Sequence, residues 1–304
     1  MHDVIVIGGG PAGLTAGLYS ARNGLATMLL EGGPPGGQAA LTETIENYPG
    51  FPGGIGGPEL MSLFARQALD FGLKMRAEMV AEVDLQGEEK TVTTAGNTYQ
   101  CRALIIASGA KSRPLGVPGE KEFTGRGVSY CATCDGAFFR NKKVAVVGGG
   151  DAAVEEALFL TKFARQVAII HRRDELRATR VLQERARAND KIKFIWKAVV
   201  EAIEGDRAVE KVALRRVDTG ERFTEPVDGI FVFVGTEPNT GFLQGKLPLT
   251  PEGYVETSAQ MATSIPGVFA AGDVRAKELR QVATAVGDGA QAAMSAEKYL
   301  AALG

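Results

Sequence analysis

Two stretches of the chain share one pattern of apolar and polar positions. Each has a short β-branched strand, a glycine-rich turn, a segment with helical spacing of apolar residues and a second apolar strand. A shift of 140 positions superimposes them without a gap: DVIVIGGGPAGLTAGLYSARNGLATMLLEGG begins at Asp3, and KVAVVGGGDAAVEEALFLTKFARQVAIIHRR begins at Lys143. Strand, turn, helix and strand in this order predict a βαβ unit, present twice.

The glycine spacing in both turns is typical of a dinucleotide site. The first glycine of GxGxxG permits the tight turn, the second lets the backbone approach a pyrophosphate, and the third position lets helix and strand pack closely. One such motif is weak evidence, but two in the same context favour two nucleotide sites. The predicted turn residues are Gly8, Gly10, Pro11, Ala12 and Gly13 in the first site, and Gly148, Gly150, Asp151 and Ala153 in the second.

The second strands of the two units end differently. The first ends at Glu31, where a carboxylate can accept hydrogen bonds from ribose hydroxyls. The aligned position is His171, followed by Arg172 and Arg173, with Arg177 nearby. Guanidinium groups bind a 2′-phosphate that a carboxylate would repel, so we expect FAD in the first site and NADPH in the second. The alternative is that HRRDELR is a solvated, salt-bridged surface stretch.

Further segments are candidates for flavin contacts. GGQ (36–38) and ENYPGFP (46–52) form a Gly/Pro-rich loop after the first unit. Near the C-terminus GVFAAGDV reads as a strand that ends in a carboxylate, and RQVATAV opens a helix whose N-terminus could face the flavin. The residues concerned are Gly37, Gln38, Asn47, Gly272, Asp273, Arg280, Gln281 and Val282.

Proline and glycine mark the domain boundaries. SRPLGVPG and GFLQGKLPLTP predict hinges near 111–118 and 241–251. The fold class is therefore α/β with two Rossmann-like dinucleotide-binding domains. We expect an FAD domain at 1–112 plus 246–304, with an inserted NADPH domain at 117–243 that carries a CxxC pair.

Composition narrows the possible partners and location. A formal net charge of -2 offers no basic footprint for nucleic acid. No apolar run approaches the roughly 18 residues of a membrane span, and MHDVIVIGGG reads as a first strand and not as a signal peptide. We therefore expect a cytoplasmic protein with no nucleic-acid or membrane partner.

The CxxC pair Cys131 and Cys134 has three possible roles. Structural zinc needs four ligands, and the other candidates, Cys101, His2 and His171, lack ligand spacing, so no metal is expected. A structural disulfide across so few residues would constrain little of the unfolded chain. A redox dithiol matches the two-electron chemistry of a flavin, and Cys101 is expected to be a small buried hydrophobic residue.

The motifs GGGPAG, GGQ, ENYPGFP, SYCATCDG, GGGDAAVEEA, HRRDELR, FVGTEPNT, AAGDV and RQVATA occur in this order along the chain. Over essentially the whole chain this combination resembles the low-molecular-weight thioredoxin reductases. The resemblance implies NADPH-dependent reduction of thioredoxin through FAD, and a homodimer. It also implies that Cys134 lies nearer the flavin, that Cys131 attacks the partner's disulfide, and that Asp135 donates and accepts the proton.

The resemblance also implies that Arg172, Arg173 and Arg177 hold the 2′-phosphate. Asp273 and Gln281 would then contact the flavin. Nicotinamide and dithiol would share one small domain, yet both must meet the same flavin. We therefore expect that domain to rotate about the two hinges between two poses.

One departure concerns docking of the partner. The family has two aromatic residues after CxxCDG, whereas here Ala137 occupies the first place and Phe138 and Phe139 follow. The Phe pair could serve docking or core packing, and Arg126 could be a docking cation. Two alternatives remain open: a reductase for a glutaredoxin-like or peroxidase-linked partner, and a flavin-binding redox sensor without turnover. A ferredoxin–NADP reductase would not need the CxxC, so the cysteine pair argues against it.

Overall fold

The computed structural model describes residues 1–42 and 44–303, and of Thr133 and Cys134 it describes the backbone but not the side chains. The chain forms two compact units. Met1–Lys111 together with the chain from Glu237 onward forms unit 1, and Ser112–Thr236 forms unit 2.

Each unit contains the strand–helix–strand arrangement that the repeated pattern predicts, together with further strands and helices. Unit 1 opens with β1 (His2–Ile7), α1 (Pro11–Arg22), β2 (Thr27–Glu31), α2 (Gly57–Asp70), β3 (Lys74–Ala77), β4 (Val80–Asp84), β5 (Lys90–Thr94), β6 (Thr98–Ile106) and β7 (Ala110–Ser112). The next elements are β8 (Val128–Ser129), α3 (Ala132–Asp135), β9 (Lys143–Gly148), α4 (Asp151–Leu160), β10 (Gln166–Ile170), α5 (Arg180–Arg187), β11 (Ile192–Ile195), β12 (Ala198–Gly205), β13 (Val209–Arg216), β14 (Arg222–Pro226) and β15 (Gly229–Phe233). The chain ends with β16 (Thr236–Pro238), β17 (Val268–Ala270) and α6 (Val282–Ala302).

The main sheet of unit 1 has the order β3-β2-β1-β6-β5-β4, with β17 also paired to β6. The pairs of β1 with β2 and β6 are parallel, as expected when helices form the crossovers between strands. Residues alternate between the two faces: Val4 and Val6 pack in one core cluster, Ile5 and Ile7 in the other. Because β17 pairs with β6 in parallel, the C-terminal segment belongs to the first sheet.

Unit 2 repeats this arrangement with the parallel order β11-β10-β9-β15-β8, and adds the antiparallel sheet β12-β13-β14. The two-domain α/β fold predicted from the sequence is confirmed. None of the helices in the described part of the chain has the length and apolarity needed to cross a membrane.

The second boundary lies earlier than the sequence suggests. The compact units divide between Thr236 and Glu237, whereas the Pro/Gly-rich segment placed the hinge at 241–251. The reason is that Thr236–Pro238 forms a strand that pairs with β7, the strand at the first boundary. Strand pairing between the two connections cannot be read from the composition of either one.

Candidate functional site

The first glycine-rich turn leads from β1 into α1 with close backbone packing. Gly8 has φ +106°, and a Cβ there would overlap the carbonyl of Ala107. A Cβ at Gly13 would overlap the carbonyl of Gly8, which explains why helix and strand need glycine there. A Cβ at Gly10, the N-cap of α1, would have no atom within 4 Å, so the surface there is open to a ligand. Pro11 opens the helix, and the free N–H groups of the first turn form an anion site.

Glu31, at the end of β2, is held by two backbone amides of the same region. Its Oε2 accepts a hydrogen bond from the Gly9 N–H at 2.6 Å, and its Oε1 accepts one from the Gly33 N–H at 3.2 Å. A carboxylate oxygen has two lone pairs, so both atoms keep capacity for sugar hydroxyls. Gly37 lies next to the same turn, since a Cβ there would be 3.3 Å from the Cα of Gly10. Gln38 follows it on the exposed side of the short helix 37–41.

The C-terminal strand and α6 meet the first turn of α1. A Cβ at Gly272 would be 2.8 Å from the Cβ of Ala12, and one at Gly289 would overlap the Ala12 carbonyl. The Asn47 side chain donates to Gln281 Oε1 at 3.0 Å. Gln281 is also the N-cap of α6 in a capping box with Thr284. The structure thus places Gly272 and α6 against the first turn of α1, and joins Asn47 to the N-cap of α6, a helix whose first residue is Val282.

Asp273 carries an unsatisfied polar atom at this place. Its Oδ1 is buried without a hydrogen-bond partner, and the nearest cation, Lys277 Nζ, is 3.8 Å away, too far for a hydrogen bond. Burial raises the pKa of this carboxyl, while Lys277 and Arg280 lower it. Arg280 packs its guanidinium over the Tyr254 ring at 4.3 Å and has a buried Nε without a partner. Buried polar atoms normally have partners, so these two atoms indicate a ligand with hydroxyl or anionic groups.

A charge cluster that the sequence analysis missed supports this segment. Asp288 in α6 accepts from Gly272 N at 3.1 Å, from Arg275 Nη1 at 2.8 Å and from Lys277 Nζ at 3.0 Å. The three side chains are only 11–12% exposed. The sequence feature that could have indicated this cluster is the position of Asp288 between two glycines, in GDG, on the inner face of a helix.

The second glycine-rich turn has the same design. Gly148 has φ +153°, and a Cβ there would overlap the carbonyl of Phe233. A Cβ at Gly148 would also lie 2.7 Å from the Cβ of Ala153. Gly150 is the N-cap of α4 and is open. Asp151 is engaged with protein, because its Oδ1 accepts the Thr179 N–H at 2.6 Å and so closes the arginine-containing loop onto the turn.

His171 follows β10 and is buried against this turn. Its ring lies where a side chain at Gly149 would be, so residue 149 must be glycine. Burial lowers the pKa of His171, as do the nearby arginines, with Arg177 the largest of these. The imidazole is therefore neutral at pH 7, and positive charge comes from the arginines. Arg177 N–H donates to the Gly149 carbonyl at 2.6 Å, and the side chains of Arg172, Arg173 and Arg177 are exposed.

The CxxC segment lies at the start of α3 in unit 2. Cys131 is disulfide-bonded and half-buried, and its N–H donates to Ser129 Oγ at 3.0 Å. The Asp135 N–H donates to the Cys131 carbonyl at 3.2 Å, and the Asp135 side chain is half-buried. The side chain of Cys134, the other predicted redox residue, lies outside the described residues.

The two aromatic residues after the CxxC differ in burial. Phe139 is 7% exposed and packs edge-on against Phe231, with ring centroids 5.2 Å apart. Phe138 is 73% exposed. Cys101 is buried and free, and burial raises the pKa of its thiol to about 12, so its prediction as a core residue is confirmed.

Known proteins match the chain over almost its whole length. The family model for pyridine nucleotide-disulphide oxidoreductases matches residues 2–289. The chain belongs to this family. Within it the chain is similar to the thioredoxin reductases of Peptoclostridium litorale, 48% identical over 99% of this chain and 97% of the relative, and of Mycolicibacterium smegmatis, 51% identical over 99% and 97%.

Two further relatives extend the comparison. A bifunctional thioredoxin reductase/thioredoxin of Mycobacterium leprae is 52% identical over 99% of this chain, which spans 66% of that longer protein. The crystal structure of Lactococcus lactis thioredoxin reductase in the FR conformation has a TM-score of 0.98 and 46% identity, covering 99% of this chain and 100% of the other. The suspected family is thereby confirmed.

As a member of this family, the chain has one predicted dinucleotide site in each unit. In unit 1 the structure brings together the first turn, Glu31, Asn47 and the α6 N-terminus. In unit 2 it brings together the second turn and the arginine-containing loop. Among the described residues no cluster of His, Cys, Asp and Glu has the arrangement of a metal site.

Proposed function

We propose that this protein is an NADPH-dependent, FAD-containing thioredoxin reductase. The observation that carries the proposal is the disulfide of Cys131, at the start of α3, in the same unit as a dinucleotide turn with three exposed arginines. A hydride from NADPH and one proton convert a disulfide to two thiols and leave NADP⁺, so electrons and protons balance. The relatives named thioredoxin reductase support the same reaction.

The residues of unit 1 fit FAD. The open N-terminus of α1 at Gly10 would bind the pyrophosphate, and Glu31 would accept hydrogen bonds from the adenosine ribose. The unsatisfied Oδ1 of Asp273 fits a hydroxyl of the ribityl chain, and Gln281 would present the α6 N-terminus to the flavin. FAD supplies a carrier that accepts a hydride and passes two electrons to a disulfide.

The residues of unit 2 fit NADPH. Gly150 leaves the N-terminus of α4 open for the pyrophosphate. Arg172, Arg173 and Arg177 are exposed, and their planar guanidinium groups can make paired hydrogen bonds to a 2′-phosphate. The neutral ring of His171 shapes the turn by filling the space beside Gly149.

For the redox pair we propose that Cys134 is the disulfide partner of Cys131 and receives electrons from the flavin. Cys131 would then attack the disulfide of thioredoxin, and Asp135 would hold and release the proton that each thiolate needs. Rotation of unit 2 about the two connections would present nicotinamide and dithiol in turn.

Thioredoxin as the partner is supported by the bifunctional relative, whose name joins reductase and thioredoxin in one chain. The exposed ring of Phe138 and the exposed Arg126 are the proposed docking residues. We also propose a homodimer in the cytoplasm, in line with the family resemblance. Light scattering on the purified protein measures the oligomeric state, and cell fractionation tests the location.

The test is NADPH-driven disulfide reduction by the purified, FAD-loaded protein with thioredoxin. We expect turnover in the wild type, loss of at least about 10³-fold in Cys131→Ser, and poor replacement of NADPH by NADH. Cys101→Ser serves as control, since this thiol is buried and free. A colourless protein that retains no added flavin, or a Cys131→Ser variant with full turnover, would contradict the proposal.

Glutaredoxin-like and peroxidase-linked proteins are assayed in parallel. Faster turnover with one of these would keep the redox route and change the partner. Flavin bleaching without subsequent thiol formation would favour a redox sensor.

A further inference from the structure

The residue before the redox cysteine is bonded to a buried carboxylate. Tyr130 Oη donates to Glu120 Oε1 at 2.7 Å. Burial and this hydrogen bond raise the pKa of Tyr130 far above its ordinary value, so the phenol remains protonated and acts as a donor. Tyr130 is covalently joined to Cys131, so whatever fixes its ring also restrains the start of the redox segment.

Glu120 is 2% exposed and has two more donors. Its Oε1 accepts the Leu115 N–H and its Oε2 accepts the Gly116 N–H, each at 2.7 Å. Leu115 and Gly116 belong to the Pro/Gly-rich connection through which the chain enters unit 2. A buried carboxylate depends on such charge-assisted hydrogen bonds, so one side chain joins this connection to Tyr130.

The same turn is also anchored to the antiparallel sheet of unit 2. The Ile203 N–H, in β12, donates to the Pro118 carbonyl at 2.9 Å. A Cβ at Gly119, which has φ +83°, would overlap the Ile203 carbonyl, so the backbones are in close contact. From Leu115 onward the connection is therefore packed into unit 2.

We propose that Glu120 is a positioning residue that joins the Leu115–Gly116 segment to Tyr130, so that this segment and the redox cysteine move as one body. This inference rests on the proposed function for its catalytic consequence, since a loose Tyr130 would misplace the disulfide. Its structural part stands by itself.

The test compares Tyr130→Phe and Glu120→Gln in the FAD-loaded full chain. The first removes one donor, and the second places an amide NH₂ against a backbone N–H. Tyr99→Phe is the matched control, because Tyr99 Oη donates to Glu78 Oε1 at 2.8 Å in unit 1. This is also a tyrosine–glutamate hydrogen bond, but it does not involve the segment that connects the two units. Hydrogen exchange is followed by mass spectrometry in the peptide covering 113–120.

We expect exchange in this peptide to rise about tenfold in Glu120→Gln and several-fold in Tyr130→Phe, and to stay unchanged in Tyr99→Phe. Unchanged exchange in Tyr130→Phe would overturn the link, even if Glu120→Gln shows a rise, because Glu120 would then only stabilise its own turn. Should Glu120→Gln not fold, Tyr130→Phe decides alone.

The kinetic readout separates positioning from general destabilisation. In Tyr130→Phe we expect kcat with thioredoxin to fall about three- to tenfold while KM for NADPH is unchanged. Unchanged kcat would overturn the role in positioning the disulfide. A wild type without NADPH-driven thioredoxin reduction would contradict the proposed function instead, and the exchange experiment would still decide whether Glu120 links the two segments.

Discussion

The Asp288 carboxylate accepts a hydrogen bond from the Gly272 backbone N–H at 3.1 Å and so ties α6 to the turn after β17. Its other oxygen accepts from Arg275 at 2.8 Å. The turn that presents the unsatisfied Asp273 therefore depends on a residue from a separate element, further along the chain. Because the cluster is largely buried, both the stability of unit 1 and the proposed flavin site should depend on it.

The first prediction concerns Asp288→Asn. Loss of the charge leaves Arg275 without its buried anion and Lys277 with only Asp273, 3.8 Å away, which should lower the free energy of unfolding by about 3 kcal/mol and weaken FAD retention. Urea unfolding and the FAD-to-protein ratio after gel filtration measure these effects. Glu82→Gln is the control, since Glu82 pairs with Lys246 in an exposed position of the same unit and should cost less than about 1 kcal/mol. Equal stability of the two variants would contradict the argument.

The second prediction concerns coenzyme preference. Replacing Arg172 and Arg173 by alanine should raise KM for NADPH by about 100-fold and leave KM for NADH nearly unchanged, because each lost charge-assisted hydrogen bond costs about 1.5 kcal/mol or more. Arg180→Ala is the control: its side chain is exposed in the same stretch and pairs with Glu184. If KM rose equally for both coenzymes, these arginines would not recognise the 2′-phosphate and would belong to a solvated surface stretch.

The third prediction uses Trp196, the single tryptophan of the chain. Its ring lies 6.5 Å from the His171 ring and stacks on Phe194 at 4.9 Å. Binding of NADP⁺ beside His171 should therefore change tryptophan fluorescence in a saturable way, and NAD⁺ should need a much higher concentration. Titration of the wild type and of the Arg172/Arg173 variant measures this. If tryptophan fluorescence did not change at NADP⁺ concentrations that inhibit turnover, the coenzyme would bind at a site away from His171.

The fourth prediction concerns pH. Burial raises the pKa of Glu156, in α4, to about 7, and its Oε2 has no hydrogen-bond partner. A raised carboxyl pKa means that the folded state binds the proton more tightly than the unfolded state. Its stabilising contribution is complete below the unfolded pKa of about 4.5 and is lost as pH rises through 7, by up to about 3 kcal/mol.

Glu156→Gln should remove this slope and be more stable than the wild type at pH 8. Urea unfolding at pH 5, 6.5 and 8 provides the measurement. Glu184→Gln, at an exposed position of α5 in the same unit, is the control and should keep the wild-type slope. A wild type whose stability rises steadily over this range would refute the assignment.

The parts of the fold that depend on neighbours in sequence could be predicted from it. Gly8 and Gly148 mark strand–turn–helix junctions because the backbone there needs glycine whatever the rest of the chain does. The positions of Glu31 and His171 at the candidate ribose sites could be predicted because one helix and one strand of ordinary length separate each of them from its glycine-rich turn. Two α/β domains follow from the repetition of this pattern.

Only the tertiary structure decided which distant residues meet. Asp288 and Glu120 look like ordinary charged residues in the sequence, and their partners lie on other elements. Phe138 and Phe139 are equivalent in composition, and the packing of one ring on Phe231 is what separates them. The second boundary lies at Thr236 and not at 241–251, because the two connections between the units pair as strands. Local spacing determines turns and periodicity, whereas burial and long-range hydrogen bonds are set by how the elements pack.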